Sequence, residues 1–532
     1  MGCLSPRAQA GQLGRVQGLK TSASEPFKAG QQRRSFSRKR FSTPGAVGFC
    51  FTGRSIADTY AYDTICIPQT PKKHAVPKSP GAPSTFTAAE LLRFFLQLLP
   101  RRALRRLPAL QGLTFYERLF TPLVTLWYLL FQWLHHDHTL QAVLTDARAG
   151  GAHRLHRKLA RHLRSASTGP YSDARQRLPE GFLAEALRRQ AGQLIRQTAS
   201  TLWKAMTVAL LDGTTVRLRP HGDIAQAFPP HGNQHQQKTY WCLMRVAVTF
   251  CCWSGAALDC AVGASAVSEQ VLACALMLRA AGRCLFVGDR NFGVFRIVQT
   301  ARQAQQQVLL RMTDPRAVKL LGRALEAGDF PVTWPPSRHD QLQPQCDDQP
   351  VQGRLLVTRL ARPGFRPQWL CLFTTLADPK EYPAQELCEL YGRRWHIELD
   401  LRYVKAQMGA AQLEVHSAAM ARKQWLACLL AYNLVRAAML CAALAHATPP
   451  LTMSFSACRR RLEAWLRDFG RTRTGVAKQW QKMLRELAQC TLPKRKKPRP
   501  PEPRAKRHIR ESFPPLVGSR RDARMKTTGP KS

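Results

Sequence analysis

The sequence predicts an α/β fold: a mixed sheet carrying a mainly β insertion, preceded by a helical region. Three observations predict it. Helical periodicity with short loops runs from "FTAAELLRFFLQLLPRRALRRL" to about residue 200. Near residue 205 the texture changes to short apolar, β-branched runs that alternate with helical ones. Residues 313–369 then turn Pro-, Gln- and Asp-rich, followed by the core-strand texture of "QWLCLFTTL".

Taken in order, residues 1–84 are rich in Ser, Arg, Gly, Pro and Lys, poor in acids and without sustained periodicity. They are expected to form a basic disordered leader. Such a leader is also similar to a transit peptide, and no continuous apolar segment marks a secretory signal. Residues 85–204 form a helical region with Arg on the outward faces and a Gly-Pro break at 169–170. This is a basic module of the sort that docks on DNA phosphates, or a helical scaffold with a solvated basic face.

The α/β domain is expected over 205–450. "TVALLDGTTVRLR" reads as strand, tight Asp-Gly turn, strand. "LMRVAVTFCCW" and "AALDCAVGASA" are two more strands, and "SEQVLACALMLRAAG" is a helix opened by Ser268-Glu269 and ended by Gly282. "CLFVGDRNFG" is a short buried strand that stops at Gly-Asp, followed by the helix "VFRIVQTARQAQQQ" and the strand "VLLRMT". After the insertion, helices run from about 383 to 447. The order β-β-β-α-β-α-β, a β insert, β, then helices fits a mixed sheet. A helical segment over 451–490 and a basic, Pro-rich disordered tail over 491–532 complete the chain.

Composition narrows the partners. Lys and Arg number 80 against 34 Asp and Glu in 532 residues, a formal net charge of +46. That excess implies a polyanionic partner, nucleic acid first, with a membrane surface or an acidic protein as the plainer alternatives. The sixteen Cys contain no C-x-x-C, which argues against a zinc ribbon and for reduced thiols in a cytosol-like compartment. The contiguous His135-His136-Asp137-His138 points its side chains in different directions, so it reads as a polar junction between helices before it reads as a metal site. Residues 121–134 are too short for a confident membrane span, and Asn433 and Arg436 interrupt 425–447. Both read as buried helices, and no membrane partner is expected.

Three acids stand out. Asp212 and Asp289 each follow an apolar strand, and chemistry in open α/β sheets gathers at strand ends. Singly, each has an ordinary explanation: Asp212-Gly213 as a turn dipeptide, Asp289 as a helix cap. Glu398 lies in "YGRRWHIELDLRYVK", expected to be helical. At about 100° per residue, Tyr391, Arg394, Glu398 and Lys405 fall in one narrow arc beside the apolar stripe Ile397, Leu401, Val404 and Met408. An i,i+4 Arg394–Glu398 pair explains two of the four. Three carboxylates converging from two strands and a helix explain more. They can hold two Mg²⁺ ions for in-line displacement at phosphorus, with Tyr391, Arg394 and Lys405 holding the DNA backbone.

The spacing Tyr391-x2-Arg394-x3-Glu398-x6-Lys405 resembles, residue for residue, the YREK signature of DDE transposases of the insertion-sequence-four group. "LLDGTTVRL" looks like that family's first-Asp segment, "VGDRNFG" like its second, and "LFTTLADPKEYPAQELCELYGRRWHIEL" like the approach to its Glu. "FTPLVTLWYLLFQWLHHDH" and "STGPYSDARQRLP" are similar to its helical N-terminal region, and the likeness spans roughly 100–450. The resemblance implies a ribonuclease-H-like domain whose β insertion falls between Asp289 and Glu398. It implies Asp212, Asp289 and Glu398 as catalytic metal ligands for two Mg²⁺, with Mn²⁺ able to substitute. Tyr391, Arg394, Lys405 and Arg290 are the DNA contacts it suggests.

It further implies cut-and-paste transposition by a homodimer on paired terminal inverted repeats and target DNA, often through a hairpin intermediate, in the bacterial cytoplasm on the nucleoid. A resolvase-like nuclease shares the acids but gives no reason for the YREK spacing. A catalytically inactive or domesticated sequence-specific DNA-binding protein is the alternative of another class.

Overall fold

The computed structural model describes residues 119–135, 138–152, 155–197, 202–232, 238–360, 368–469 and 476–493. The expected leader, the N-terminal region up to residue 118, the tail from 494 on, and His136 and Asp137 lie outside the described residues.

The first described helix, α1 (Pro122–Leu134), opens with the Thr121 side chain accepting from the Val124 N–H and is buried along most of its length. Shorter helices follow, and then α2 (Glu180–Gln197). The strands come next: β1 (Thr207–Leu218), β2 (Pro230–Gly232), β3 (Lys238–Cys251) and β4 (Ala257–Ala264). Helix α3 (Glu269–Arg279), strand β5 (Cys284–Gly288), helix α4 (Phe295–Gln303) and strand β6 (Gln307–Arg311) continue the chain. The insertion supplies β7 (Gly328–Trp334) and β8 (Val351–Leu360), and β9 (Gln368–Thr374) returns to the sheet. Helical segments lead to a short β10 (Gln412–Leu413), then to the long α7 (Ala418–Ala445; α5 and α6 are defined with the site below).

All ten strands belong to one mixed sheet among the described residues, in the order β2-β3-β1-β5-β6-β9-β8-β7, with β4 on β3 and β10 on β1. Pairing is parallel for β1–β5 and β5–β6 and antiparallel for β1–β3, β3–β4 and the insertion. The insertion is therefore an extension of the same sheet, joined through the antiparallel β6–β9 pair.

One local expectation fails. Asp212-Gly213 is not a turn: β1 runs straight through it, paired with β3 from Ala209↔Cys251 to Leu218↔Cys242. A turn would have broken ten consecutive cross-strand pairs, and the strand partner outweighs the local turn preference of Asp-Gly.

The pleat sorts side chains between two apolar layers, as the two-residue period requires. Val208, Leu210, Val216 and Leu218 of β1 and Leu285 and Val287 of β5 pack in the layer that contains α1, α2 and α7. Ala209, Leu211 and Phe286 pack on the opposite face against α3 and α4. The N-terminal helices are not set apart from the sheet. Trp133 donates to Gln424 at 2.8 Å, and Gln190 donates to the Leu430 carbonyl at 3.3 Å, both on α7.

Helix α7 is long and apolar enough to cross a membrane, yet 94% of its most apolar window is buried in the protein. Its polar interruptions are satisfied by geometry. Asn433 accepts from the Ala257 N–H at 2.7 Å and donates to the Ala257 carbonyl at 2.8 Å, so it completes the start of β4. Arg436 pairs with buried Asp400, donates from Nε to the Tyr432 hydroxyl at 2.7 Å and lies near the rings of Tyr403, Tyr432 and Phe455. Burial pushes the Asp400 carboxyl up to about 6, against the opposing pull of Arg436 and Tyr432.

Removing one partner of a buried pair strands the other charge, at a cost of about 3–5 kcal/mol. Asp400→Ala is expected to lower unfolding free energy by about that amount in urea titrations, while a paired apolar replacement of Asp400 and Arg436 loses less. Equal losses would show that the pair's charges are not what holds this helix in place.

Candidate active site

The parallel β1–β5 ladder puts two acids side by side. Its last paired residues are Leu211 and Gly288, so the next residue on each strand is Asp212 and Asp289. Neighbouring strands lie about 4.8 Å apart, and side chains in register project to one face. Both Asp residues continue the parity of the layer that also holds Ile397, Leu401 and Val404. Asp212 accepts the Gly213 N–H at 2.7 Å, and Asp289 accepts the Asn291 N–H at 2.9 Å, which tightens the turn after β5.

The helical segment carrying Glu398 is less regular than its sequence suggests. It consists of α5 (Ala384–Gly392), a 3₁₀ turn (Arg393–Trp395), α6 (His396–Arg402) and a π turn (Tyr403–Gln407). The wide turn closes with the Met408 N–H donating to the Tyr403 carbonyl at 2.8 Å, and it seats Tyr403 in a stack on Phe455 at 4.9 Å. π turns of this kind recur at functional sites. Lys405 then donates to Thr214 Oγ1 at 3.1 Å. Thr214 shares its face of β1 with Asp212, so the segment meets the strand at two places.

Arg394 and Glu398 form an ion pair at 2.9 Å, with side chains 14% and 34% exposed. Burial opposes the Arg394 charge, but Tyr391, Glu398 and Asp212 more than offset it and its pKa rises. Burial pushes the Asp212 carboxyl up to about 7. The Gly213 N–H and Arg394 hold it down, and the charges of Asp289 and Glu398 push it further up. Asp289, Arg394 and Glu398 are thus all within electrostatic reach of Asp212. Tyr391 is only 4% exposed and acts on Arg394 from the core side. Arg290 is exposed in the turn after Asp289. Lys405, half-buried, has its pKa lowered by burial and by Arg217.

The three acids offer only oxygen donors, the kind hard divalent ions take. Among the described residues, however, no three His, Cys, Asp or Glu side chains are gathered tightly enough to hold an ion as they stand. Glu398 is engaged by Arg394 instead. The donor set fits a divalent cation in kind, and in this structure one Glu398 oxygen is held by Arg394.

The family described as "Transposase DDE domain" matches residues 203–434. That span is less than half of the chain, and it is the part that is similar to a DDE transposase domain. Within the matched span lie Asp212, Asp289, Glu398 and the three further residues of the YREK spacing. The chain is also similar to "Transposase InsG for insertion sequence element IS4" of Escherichia coli (strain K12), 26% identical over 281 residues. That match covers 50% of this chain and 60% of the relative's length.

The "Cryo-EM structure of piggyBac transposase synaptic complex with hairpin DNA (SNHP)" aligns over 76% of this chain and 86% of that one. The identity is 10% and the TM-score 0.33.

Thr214, Glu269 and Asn291 are polar residues around these acids that the sequence reading did not single out. Thr214 is hidden in the β-branched alternation of β1, and Ser268-Glu269 reads from sequence only as a helix start.

Asp212 also predicts a pH dependence for the cation-free protein. Its carboxyl is raised from 3.8 to about 7, so between those values the folded chain holds a proton that the unfolded chain has lost. Stability from this group is complete below the unfolded value and is lost as pH rises through about 7. In a chelating buffer the wild-type melting temperature should fall relative to Asp212→Asn as pH rises across that window. Parallel pH profiles for the two proteins would remove the raised carboxyl.

Proposed function

We propose that this chain is a transposase that cleaves phosphodiester bonds at the terminal inverted repeats of an insertion sequence and joins the freed 3′-hydroxyl to target DNA. What supports this reading is that Asp289, Glu398 and Arg394 all act electrostatically on Asp212, within the span that matches the "Transposase DDE domain" family. Two Mg²⁺ ions held by these three carboxylates, or Mn²⁺ in their place, supply activation of the attacking oxygen and stabilisation of the leaving one when bound.

The chain's own residues do the rest. The parallel ladder holds Asp212 and Asp289 in register, and Asp212 gives up its proton to become a ligand. Arg394 exchanges partners: a DNA phosphate replaces Glu398 in its fork, which frees Glu398 to join the two Asp carboxylates. Guanidinium to phosphate is a strong, directional pairing, so the exchange couples DNA arrival to completion of the acid set. Lys405, held against Thr214, and exposed Arg290 add positive charge along the backbone path. Buried Tyr391 supports Arg394 from behind. The net charge of +46 favours DNA at long range. The protein acts in this reading as a homodimer on paired ends, in the cytoplasm on the nucleoid.

Purified full-length protein should nick DNA carrying the element's ends with Mg²⁺ or Mn²⁺ and stop when the ions are chelated. Asp212→Ala, Asp289→Ala and Glu398→Ala should each abolish nicking while end binding in gel-shift assays persists. A variant that still nicks at the wild-type rate removes its residue from the acid set. Wild-type protein that binds ends but never cuts, under any divalent ion, favours the catalytically inactive DNA-binding alternative.

Arg394→Ala should weaken end binding or strand transfer, with Mn²⁺ uptake preserved because the ligands remain. Unchanged DNA handling would leave Arg394 with a structural pairing to Glu398 and no exchange.

A further inference from the structure

Resting on that reading, we propose that Glu269 is a positioning residue that locks the Asp289 turn to the Asp212 strand through Asn291. Glu269 is the first residue of α3, where an acid is favoured by the helix dipole whatever else it does. Its surroundings ask for more. The Asn291 side-chain amide donates to Glu269 Oε2 at 2.7 Å, and the Asn291 backbone N–H donates to Asp289 Oδ1 at 2.9 Å. Gln270 donates to both the carbonyl and the Oδ1 of Asn291 at 2.9 Å. With Oδ1 so engaged, the Asn291 NH₂ faces Glu269, and the amide has one sensible orientation.

The other side of Glu269 meets β1. A Cβ on Gly213 would stand 2.2 Å from the Glu269 carboxyl carbon, so the carboxylate occupies the space beside the residue that follows Asp212. Gly213 continues the parity of Ala209 and Leu211, on the face of the sheet opposite Asp212. Glu269 therefore reaches the strand from behind the acid set. That placement suits a brace and not a fourth ligand.

The start of α3 is itself fixed twice. The Ser268 side chain caps it by accepting the Val271 N–H, and Arg245, on β3, donates to the Val267 carbonyl at 2.8 Å. The chain of contacts runs β3, α3, Asn291, Asp289, and it closes on β1 at Gly213. Groups that orient metal-ligating carboxylates commonly change cation affinity or activity by about 10–100-fold when removed.

The test uses the full chain and two readouts: Mn²⁺ affinity from titration of free Mn²⁺ by electron paramagnetic resonance, and single-turnover nicking of end DNA. Glu269→Ala and Asn291→Ala should each weaken Mn²⁺ binding by about 10-fold and slow nicking in step. Glu269→Gln, which still accepts from Asn291, should restore most of both. The double alanine variant should lose no more than either single one, because both cut the same link.

Loss with Glu269→Gln as large as with Glu269→Ala would overturn the proposal in favour of a direct role for the charge. Wild-type affinity in both alanine variants, or additive losses, would overturn it as well. Wild-type protein that takes up no Mn²⁺ at all would instead overturn the functional reading on which the proposal stands.

Discussion

Everything at the site depends on the register of one parallel ladder. Because β1 and β5 end their pairing at Leu211 and Gly288, two acids emerge at the same level and on the same face. A shift of one residue would send either carboxylate to the opposite layer, among Ala209, Leu211 and Phe286. The register is held by burial on both faces of strands that are apolar without interruption up to the acids. β1 then continues beyond Asp212 because β3 carries it on the other side. The acids thus sit where one strand ends and its neighbour goes on.

The second constraint is the helical segment that brings Glu398 within electrostatic reach of Asp212. Its anchor lies two residues further on, where Asp400 meets Arg436 and Tyr432 of α7 in the core. The 3₁₀ turn before α6 and the π turn after it let one stretch of chain reach that buried pair, Asp212 through the charges of Arg394 and Glu398, and Thr214 through Lys405. A uniform helix would keep Lys405 in line with Glu398. The observed segment gives up that regularity, and its charged residues meet β1 separately.

Much of this was legible in the sequence. The apolar run ahead of Asp289 marked it as a strand end, whereas Asp212 lies inside β1 where only the pairing with β5 stops; the helical spacing placed Arg394 beside Glu398, where the 2.9 Å pair is found. The burial of α1 and α7 followed from the length of one and the interrupting Asn433 and Arg436 of the other. What the sequence hid were decisions made by tertiary partners. Asp-Gly has a local turn preference that β3 overrides. The π turn reflects where Tyr403 stacks, a fact about Phe455 fifty residues later. Glu269 looks like an ordinary helix start because its second role depends on Asn291 and Gly213, which only folding brings near.

The central claim is that Arg394 yields Glu398 to the two Asp carboxylates when DNA arrives. Crystals of the protein with an end-sequence duplex and Mn²⁺, measured at the manganese absorption edge, test it most directly. The account predicts anomalous density between Asp212, Asp289 and Glu398, with the Arg394 guanidinium on a phosphate. Manganese elsewhere, or Arg394 still paired with Glu398 beside bound DNA, would contradict it.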